Sequence, residues 1–194
     1  MARNKQGILF VVSAPSGAGK TTLVNKVVAQ LTGIGLSVSC TTRAPRPGEQ
    51  PGIDYTFISR AEFTAREEAG KFIEWATVHG DLYGTPRANV ERLQDGEDLI
   101  LEIDTQGAKK IRAAFPESVL IFILPPSLEV LEGRLRQRGG DSEAAIAARL
   151  NNARQELDQI AEYDYIVINA EVEEAARALA SIIIAERCKT KRVV

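Results

Sequence analysis

The chain has 194 residues, 44% of them apolar, enough for one domain with an inserted subdomain or for two small lobes. Its 24 basic and 26 acidic residues leave a formal charge of -2, which gives no electrostatic case for nucleic acid or a membrane surface as partner. Cys40 and Cys188 match no metal-ligand spacing and read as reduced thiols of a cytoplasmic protein, the short apolar run after Arg3 and Lys5 does not make a signal peptide, and no segment nears the roughly 20 apolar residues that span a bilayer.

The first element is Ile8-Leu9-Phe10-Val11-Val12, short and apolar enough for a buried strand. It feeds Ser13-Ala14-Pro15-Ser16-Gly17-Ala18-Gly19-Lys20-Thr21-Thr22, after which helical periodicity runs through Leu23, Val24, Val27, Val28 and Leu31. Strand, small-residue loop and helix in that order predict a phosphate cradle. The backbone N–H groups from Ser16 to Lys20 converge on a polyphosphate at the helix N-terminus, Lys20 adds positive charge, and the Thr21 hydroxyl is a ligand for Mg²⁺. The expected ligand is a nucleoside triphosphate. The pattern G-x-x-x-x-G-K-[ST] wants glycine where this chain has Ala14, which forbids little unless that residue needs a positive φ.

From about 38 to 96 the pattern changes to short elements broken by Pro45, Pro47 and Pro51, the mark of an inserted lobe. Ser59-Arg60-Ala61-Glu62 is a capping box with Ile58 and Phe63 as a hydrophobic staple, predicting a helix to about 69 that Gly70 ends. Phe72-Ile73-Glu74-Trp75-Ala76 alternates as a strand, with Trp75 expected in the lobe core, and Thr85-Pro86 reads as an N-cap followed by proline at the first helical position. The single His79 has no partner at motif spacing and reads as a loop residue.

Beyond the lobe, apolar runs at 99–103, 119–124 and 165–168, each apolar on both faces, alternate with helical stretches at 105–114, 127–138, 141 to about 160 and 171 to about 188. The fold class is therefore α/β: a P-loop three-layer α/β/α core with a parallel sheet (1–37 and 97–194), an inserted mixed α/β lobe (38–96) and a helical lid (about 126–160). Arg138-Gly139-Gly140-Asp141 is the expected lid hinge, while Arg136 reads as part of a solvated helix face.

A second anion site is suggested by Ser39-Cys40-Thr41-Thr42-Arg43-Ala44-Pro45-Arg46-Pro47-Gly48-Glu49, where two arginines sit on a proline-stiffened segment with Tyr55 and Tyr83 to follow. Taken alone, such arginines are more often solvated surface charges. Together with Gly52-Ile53-Asp54-Tyr55-Thr56-Phe57, Phe72-Ile73-Glu74-Trp75-Ala76, Tyr83-Gly84-Thr85 and Leu101-Glu102-Ile103-Asp104-Thr105-Gln106-Gly107, all in order, the segment resembles the guanylate kinases over nearly the entire chain. The resemblance implies transfer of the γ-phosphoryl group of ATP to GMP. It places Arg43, Arg46, Tyr55 and Tyr83 on the GMP phosphate and Ser39, Glu74, Thr85 and Asp104 around the guanine. It puts ATP on Ala14, Pro15, Ser16, Gly17, Ala18, Gly19, Lys20, Thr21 and Thr22, with lid arginines Arg134, Arg138 and Arg149 over the reacting phosphates; Asn169, ending the last strand, is expected near the donor adenine.

The chemistry of guanine agrees with that assignment: its N1–H and N2–H₂ donors match a carboxylate such as Glu74, whereas adenine would leave the buried charge unpaired, a mismatch of the kind that rejects analogues by roughly 10⁴-fold. The attacking phosphate oxygen is already anionic, so no protein nucleophile or general base is expected. Lys20, Arg43, Arg138, Arg149 and Mg²⁺, the last on Thr21 and Glu102, gather the charge instead. A structural salt bridge at Glu102 is the equal alternative. Two other functions compete: a phosphopeptide-binding scaffold, whose nucleotide site would be degraded, and a kinase of ribosyl bisphosphates, which would share the cradle but need no guanine pocket. Self-association is left open.

Overall fold

The strand ahead of the cradle is the centre of the molecule because both of its faces are covered. A computed structural model describes residues 6–78, 80–138 and 142–193, with Arg138 described by its backbone alone, so that His79 and the expected hinge at 139–141 lie outside the described residues. In chain order the elements are β1 (Leu9–Ser13), α1 (Lys20–Gln30), β2 (Ile34–Leu36), β3 (Cys40–Thr41), β4 (Thr56–Phe57), α2 (Arg60–Glu68), β5 (Phe72–Val78), β6 (Asp81–Pro86), α3 (Arg87–Glu91), β7 (Asp98–Glu102), α4 (Thr105–Ala114), β8 (Val119–Leu124), α5 (Leu128–Arg138), α6 (Glu143–Leu157), β9 (Tyr165–Ile168), α7 (Val172–Arg187) and α8 (Thr190–Val193).

Five parallel strands form the main sheet in the order β2-β7-β1-β8-β9. On β1, Phe10 and Val12 point into one core with Leu23, Val24 and Val27 of α1 and Leu179 and Ile183 of α7. Leu9 and Val11 point into the other, with Ala108 and Ile111 of α4. Burial on both sides is why the run reads as continuously apolar, and each such side chain contributes about 1.5–3 kcal/mol. From β1 the chain goes to β2 on one flank, while β7 hands on to β8 across it. Ligands of such sheets gather at this switch point, beyond the C-terminal ends of the strands.

A second, four-stranded sheet, β4-β3-β6-β5, is built from strands between residues 40 and 86. Cys40, Phe63, Phe72 and Leu82 fill its small core, with Ile58 and Trp75 against them. The cap is as predicted: Glu62 N donates to Ser59 Oγ at 3.1 Å, Phe63 packs in the same cluster as Ile58, and Gly70 turns the chain at φ 64°. α5 and α6 pair through Leu131, Leu135 and Ala153, with Leu128 and Leu150 alongside. Arg136 lies on the exposed face, paired with Glu132 and Glu143.

Two expectations are corrected and one element is added. The run at 165–168 is an edge strand, not a two-sided one: only Val167 is buried, and Ile166 and Ile168 are 49% and 60% exposed. Thr85 belongs to β6 and does not cap a helix, because its hydroxyl is committed to Glu74, and Pro86 rather than Thr85 is the residue preceding α3. β2 is an addition to the expected elements, since Ile34-Gly35-Leu36 is too short and glycine-bearing to read as a strand. The strand ends are tied by Asp98, which accepts from Ile8 N and from Arg187 Nε, each at 2.7 Å. Among the described residues no helix is long and apolar enough to cross a membrane, and both cysteines are unbridged, Cys40 buried and Cys188 exposed.

Truncating Ile121, which is fully buried in β8, is expected to cost about 2–5 kcal/mol, whereas Ile168→Thr on the open edge stays within about 0.5 kcal/mol. Denaturant midpoints of the two variants at equal m-value check both.

Candidate active site

The cradle needs its glycines twice over. Gly17 and Gly19 have φ of 94° and 88°, in the left-handed region. A Cβ on Gly17 would lie 2.9 Å from Leu135 Cδ2, and one on Gly19 would lie 2.5 Å from Asn169 Nδ2. Ala14, in contrast, turns its methyl against the core cluster around β1, which gives the odd residue of the motif a packing role. No side chain caps α1 and no acidic residue occupies its first turn, so its leading N–H groups remain available to an anion.

Lys20 and Thr21 point toward β7. Lys20 Nζ donates to the Ile103 carbonyl at 3.2 Å, and Thr21 Oγ1 donates to Glu102 Oε2 at 2.9 Å. The other oxygen, Glu102 Oε1, is buried with no hydrogen-bond partner. Burial pushes the Glu102 carboxyl up, while Lys20 and the Thr21 hydroxyl oppose that shift. An orphaned carboxylate oxygen beside a hydroxyl is a hard oxygen donor set and fits a divalent cation such as Mg²⁺. Among the described residues no cluster of three or more His, Cys, Asp or Glu would hold a metal alone, so a cation here would share its ligands with a phosphate or water.

One of the two helices after β8 grips the cradle and the other the residue behind it. Arg149 Nη1 on α6 donates to Ser16 Oγ at 2.8 Å, and Arg134 Nη2 on α5 donates to the Asn169 carbonyl at 3.0 Å. Asn169 itself is 2% exposed and donates from Nδ2 to Ala18 O at 2.7 Å. It thus braces the cradle through Nδ2, while its Oδ1 is buried with no hydrogen-bond partner. The side chain of Arg138 lies outside the described residues.

In the second sheet, Arg43 is held on three sides, by Tyr83 Oη at 3.1 Å, Glu49 Oε1 at 2.8 Å and the Ala44 carbonyl at 2.7 Å. Its guanidinium carbon lies 5.6 Å from the centre of the Tyr55 ring, which stands edge-on to Tyr83. Burial pushes the Tyr55 hydroxyl up to about 12, so it is present as a donor at neutral pH. Arg46 N donates to Glu49 Oε2 at 2.7 Å. Despite burial, Glu49 is held below the usual carboxylate range by the hydrogen bonds from Arg43 and Arg46, so it stays ionised and binds both ends of the arginine segment. That role is invisible in sequence until the loop is closed.

Deeper in the cleft, Glu74 is 6% exposed and Thr85 fully buried, the Thr85 hydroxyl donating to Glu74 Oε1 at 2.5 Å. Burial raises the Glu74 carboxyl; Thr85 opposes the rise and Asp104 adds to it. Asp104 caps α4, accepting from Gly107 N at 2.9 Å. Ser39 is buried beside β3, with its carbonyl accepting from Thr56 N at 2.9 Å. Lys110 reaches back to the Trp75 carbonyl and lies 5.0 Å from the centre of the Trp75 ring, joining α4 to β5.

Sequence reasoning missed Glu156 on α6. Two turns beyond Arg149, it shares that residue's helix face, which was the available signal. Burial pushes its carboxyl up to about 7, with Lys20 pulling it down and Asp104 adding to the rise.

A parallel sheet with a glycine-turned anion cradle at its switch point, a neighbouring sheet carrying a second cationic pocket and a helical pair bearing arginines define a P-loop nucleotide-binding α/β protein. The guanylate kinase family model matches residues 6–186. Guanylate kinases from Desulfitobacterium hafniense and Nitrosomonas europaea are 48% and 49% identical, over 96% and 95% of this chain and 94% and 92% of their own lengths. A crystal structure of guanylate kinase from Anaplasma phagocytophilum superposes with a TM-score of 0.82 at 39% identity, covering 99% of this chain and 92% of that one. The chain belongs to the guanylate kinase family.

Because the folded-state value for Glu156 lies above the roughly 4.5 of the unfolded chain, the folded form favours the protonated carboxyl. Its contribution to stability is complete below about 4.5 and lost as pH rises through about 7. Glu156→Gln is therefore expected to gain stability relative to the parent across that window, with the difference flat above pH 8, and paired thermal melts across pH 4–9 measure it.

Proposed function

We propose that the chain transfers the γ-phosphoryl group of ATP to GMP, giving ADP and GDP, with Mg²⁺ as cofactor and in the cytoplasm, where it would serve purine nucleotide recycling. The observation that carries the reading is the pairing of the cradle with a second pocket whose floor is two carboxylates, Glu74 and Asp104, and whose rim is Arg43 with two tyrosines.

Residues 38–96 would form the GMP lobe, 1–37 and 97–194 the ATP-binding core, and about 126–160 the lid. Glu74 Oε1 is already engaged by Thr85, which orients the carboxylate and leaves Oε2 to accept from the guanine N1–H or N2–H₂. The pocket prefers guanine because adenine has no donor at N1. Arg43, Arg46, Tyr55 and Tyr83 would take the GMP phosphate, whose oxygen attacks the γ-phosphorus while the β–γ bridging oxygen leaves with ADP. Lys20 and the leading N–H groups of α1 hold the donor phosphates, and Arg134 and Arg149 would turn from their present partners to the transferring group, with Arg138 beside them, as the lid closes and excludes water. Thr21 and Glu102 would hold the cation, which supplies charge neutralisation between the donor phosphates when bound. Alignment of two polyanions is most of the catalysis.

Coupled ADP release with ATP and Mg²⁺ is expected to be rapid with GMP and negligible with AMP, CMP and UMP. Lys20→Ala lowers turnover by about 10²–10⁴-fold while the melting temperature holds. Glu74→Ala raises the KM for GMP and leaves that for ATP unchanged. A folded protein inert toward all four acceptors would sink the reading.

A further inference from the structure

Gly107 sits in the first turn of α4 with ordinary helical geometry, not among the positive-φ glycines. Nothing in its backbone requires glycine, and glycine is a poor helix former there. Its N–H is needed, since Asp104 Oδ1 accepts from it at 2.9 Å, but any residue except proline supplies an N–H. The space beside it explains the choice. A Cβ on Gly107 would lie 2.7 Å from Glu74 Oε2, 3.2 Å from Ile103 Cδ1 and 3.3 Å from Asp104 Oδ1. The two carboxylates of the cleft thus meet at the point where a side chain would begin.

We propose that Gly107 is a specificity-determining position: the missing side chain is the room in which the Glu74 carboxylate stands over the start of α4, and a single methyl there spoils recognition of guanine while sparing the fold. The inference rests on the assignment of Glu74 and Asp104 to the guanine. The atom nearest the added methyl is the tip of a side chain that turns about its own torsions, so the backbone need not move and the structure tolerates the methyl. The site does not, because the tip is the acceptor. Oε1 is fixed by the Thr85 hydroxyl at 2.5 Å, so a retreat of Oε2 either swings the carboxylate about that bond or breaks it, and both take the free oxygen from its place. The start of α4 also loses a carboxylate that its N-terminal dipole favours.

The chain carries its own control. Gly133 lies inside α5, where an added Cβ would meet nothing within 4 Å, so Gly133→Ala makes the same chemical change in a helix without an obstacle. Melting temperature, KM for GMP, KM for ATP and kcat are measured for the parent, Gly107→Ala and Gly133→Ala. Gly107→Ala is expected to stay folded, the helix gain of alanine offsetting the disturbed Glu74 contacts so that it melts within about 5 °C of the parent, and to raise the KM for GMP about ten- to hundredfold, the loss of one charge-assisted hydrogen bond, with the KM for ATP within twofold. Gly133→Ala leaves both KM values unchanged. In a Glu74→Asp background, where the carboxylate is drawn back by one methylene, Gly107→Ala adds less than threefold; full additivity would trace the effect to α4 itself and overturn the inference. An unchanged KM for GMP in folded Gly107→Ala overturns it too, as does failure of that variant to fold. The underlying reading is tested separately by the parent: if the parent turns over GMP and Gly107→Ala behaves like it, only the role of Gly107 is lost.

Discussion

The site depends first on a strand with no solvent-facing side. β1 is covered by α1 and α7 on one face and α4 on the other and has a strand on each edge, so its last residue is fixed in position and direction. The loop that leaves it must turn at once into α1, and the turn is made by residues with φ near 90° at 17 and 19. Three other parts of the chain close on that turn: Leu131 and Leu135 from α5, Arg149 from α6, and Asn169 ahead of α7, which Arg134 holds in turn by its carbonyl. A loop of small residues would otherwise be mobile, and each of these contacts reduces what an incoming anion must order.

Charge is handled by pairing rather than by excess. The chain carries a formal charge of -2, yet its cleft is meant for anions. Cations are concentrated locally, and each has a temporary partner: Arg43 has Glu49, Lys20 has the Ile103 carbonyl, and Arg149 has Ser16. The carboxyls of Glu74, which is buried, and of Glu102, whose Oε1 is buried without a partner, are both pushed up by desolvation.

What could be read from the chain follows from how local each cause is. The runs at 9–12, 99–101 and 119–123 were legible because burial on both faces leaves no polar residue to interrupt them. The run at 165–168 looks the same in composition, but being last in the sheet is a fact of topology, and Ile166 and Ile168 face outward. Ser59 is recognisable as a cap because its partner is three residues away; Thr85 is misleading because its partner, Glu74, is reached across a strand pair. The cradle is a contiguous motif and is evident. Gly107, Glu49 and Glu156 escape notice because their surroundings are assembled from elements far apart in sequence.

The contrast between the two cysteines makes the molecule a ready subject for single-site labelling. Cys40 is buried in the small sheet, where burial pushes its thiol up despite the Arg66 guanidinium 3.4 Å away, so little thiolate forms and reagents have no approach. Cys188 is exposed just past α7, next to the Arg187 that reaches the Asp98 end of the sheet, opposite the cradle. A fluorophore or spin label would attach there by thiol chemistry alone, with no cysteine to remove first and no contact with the residues around either pocket.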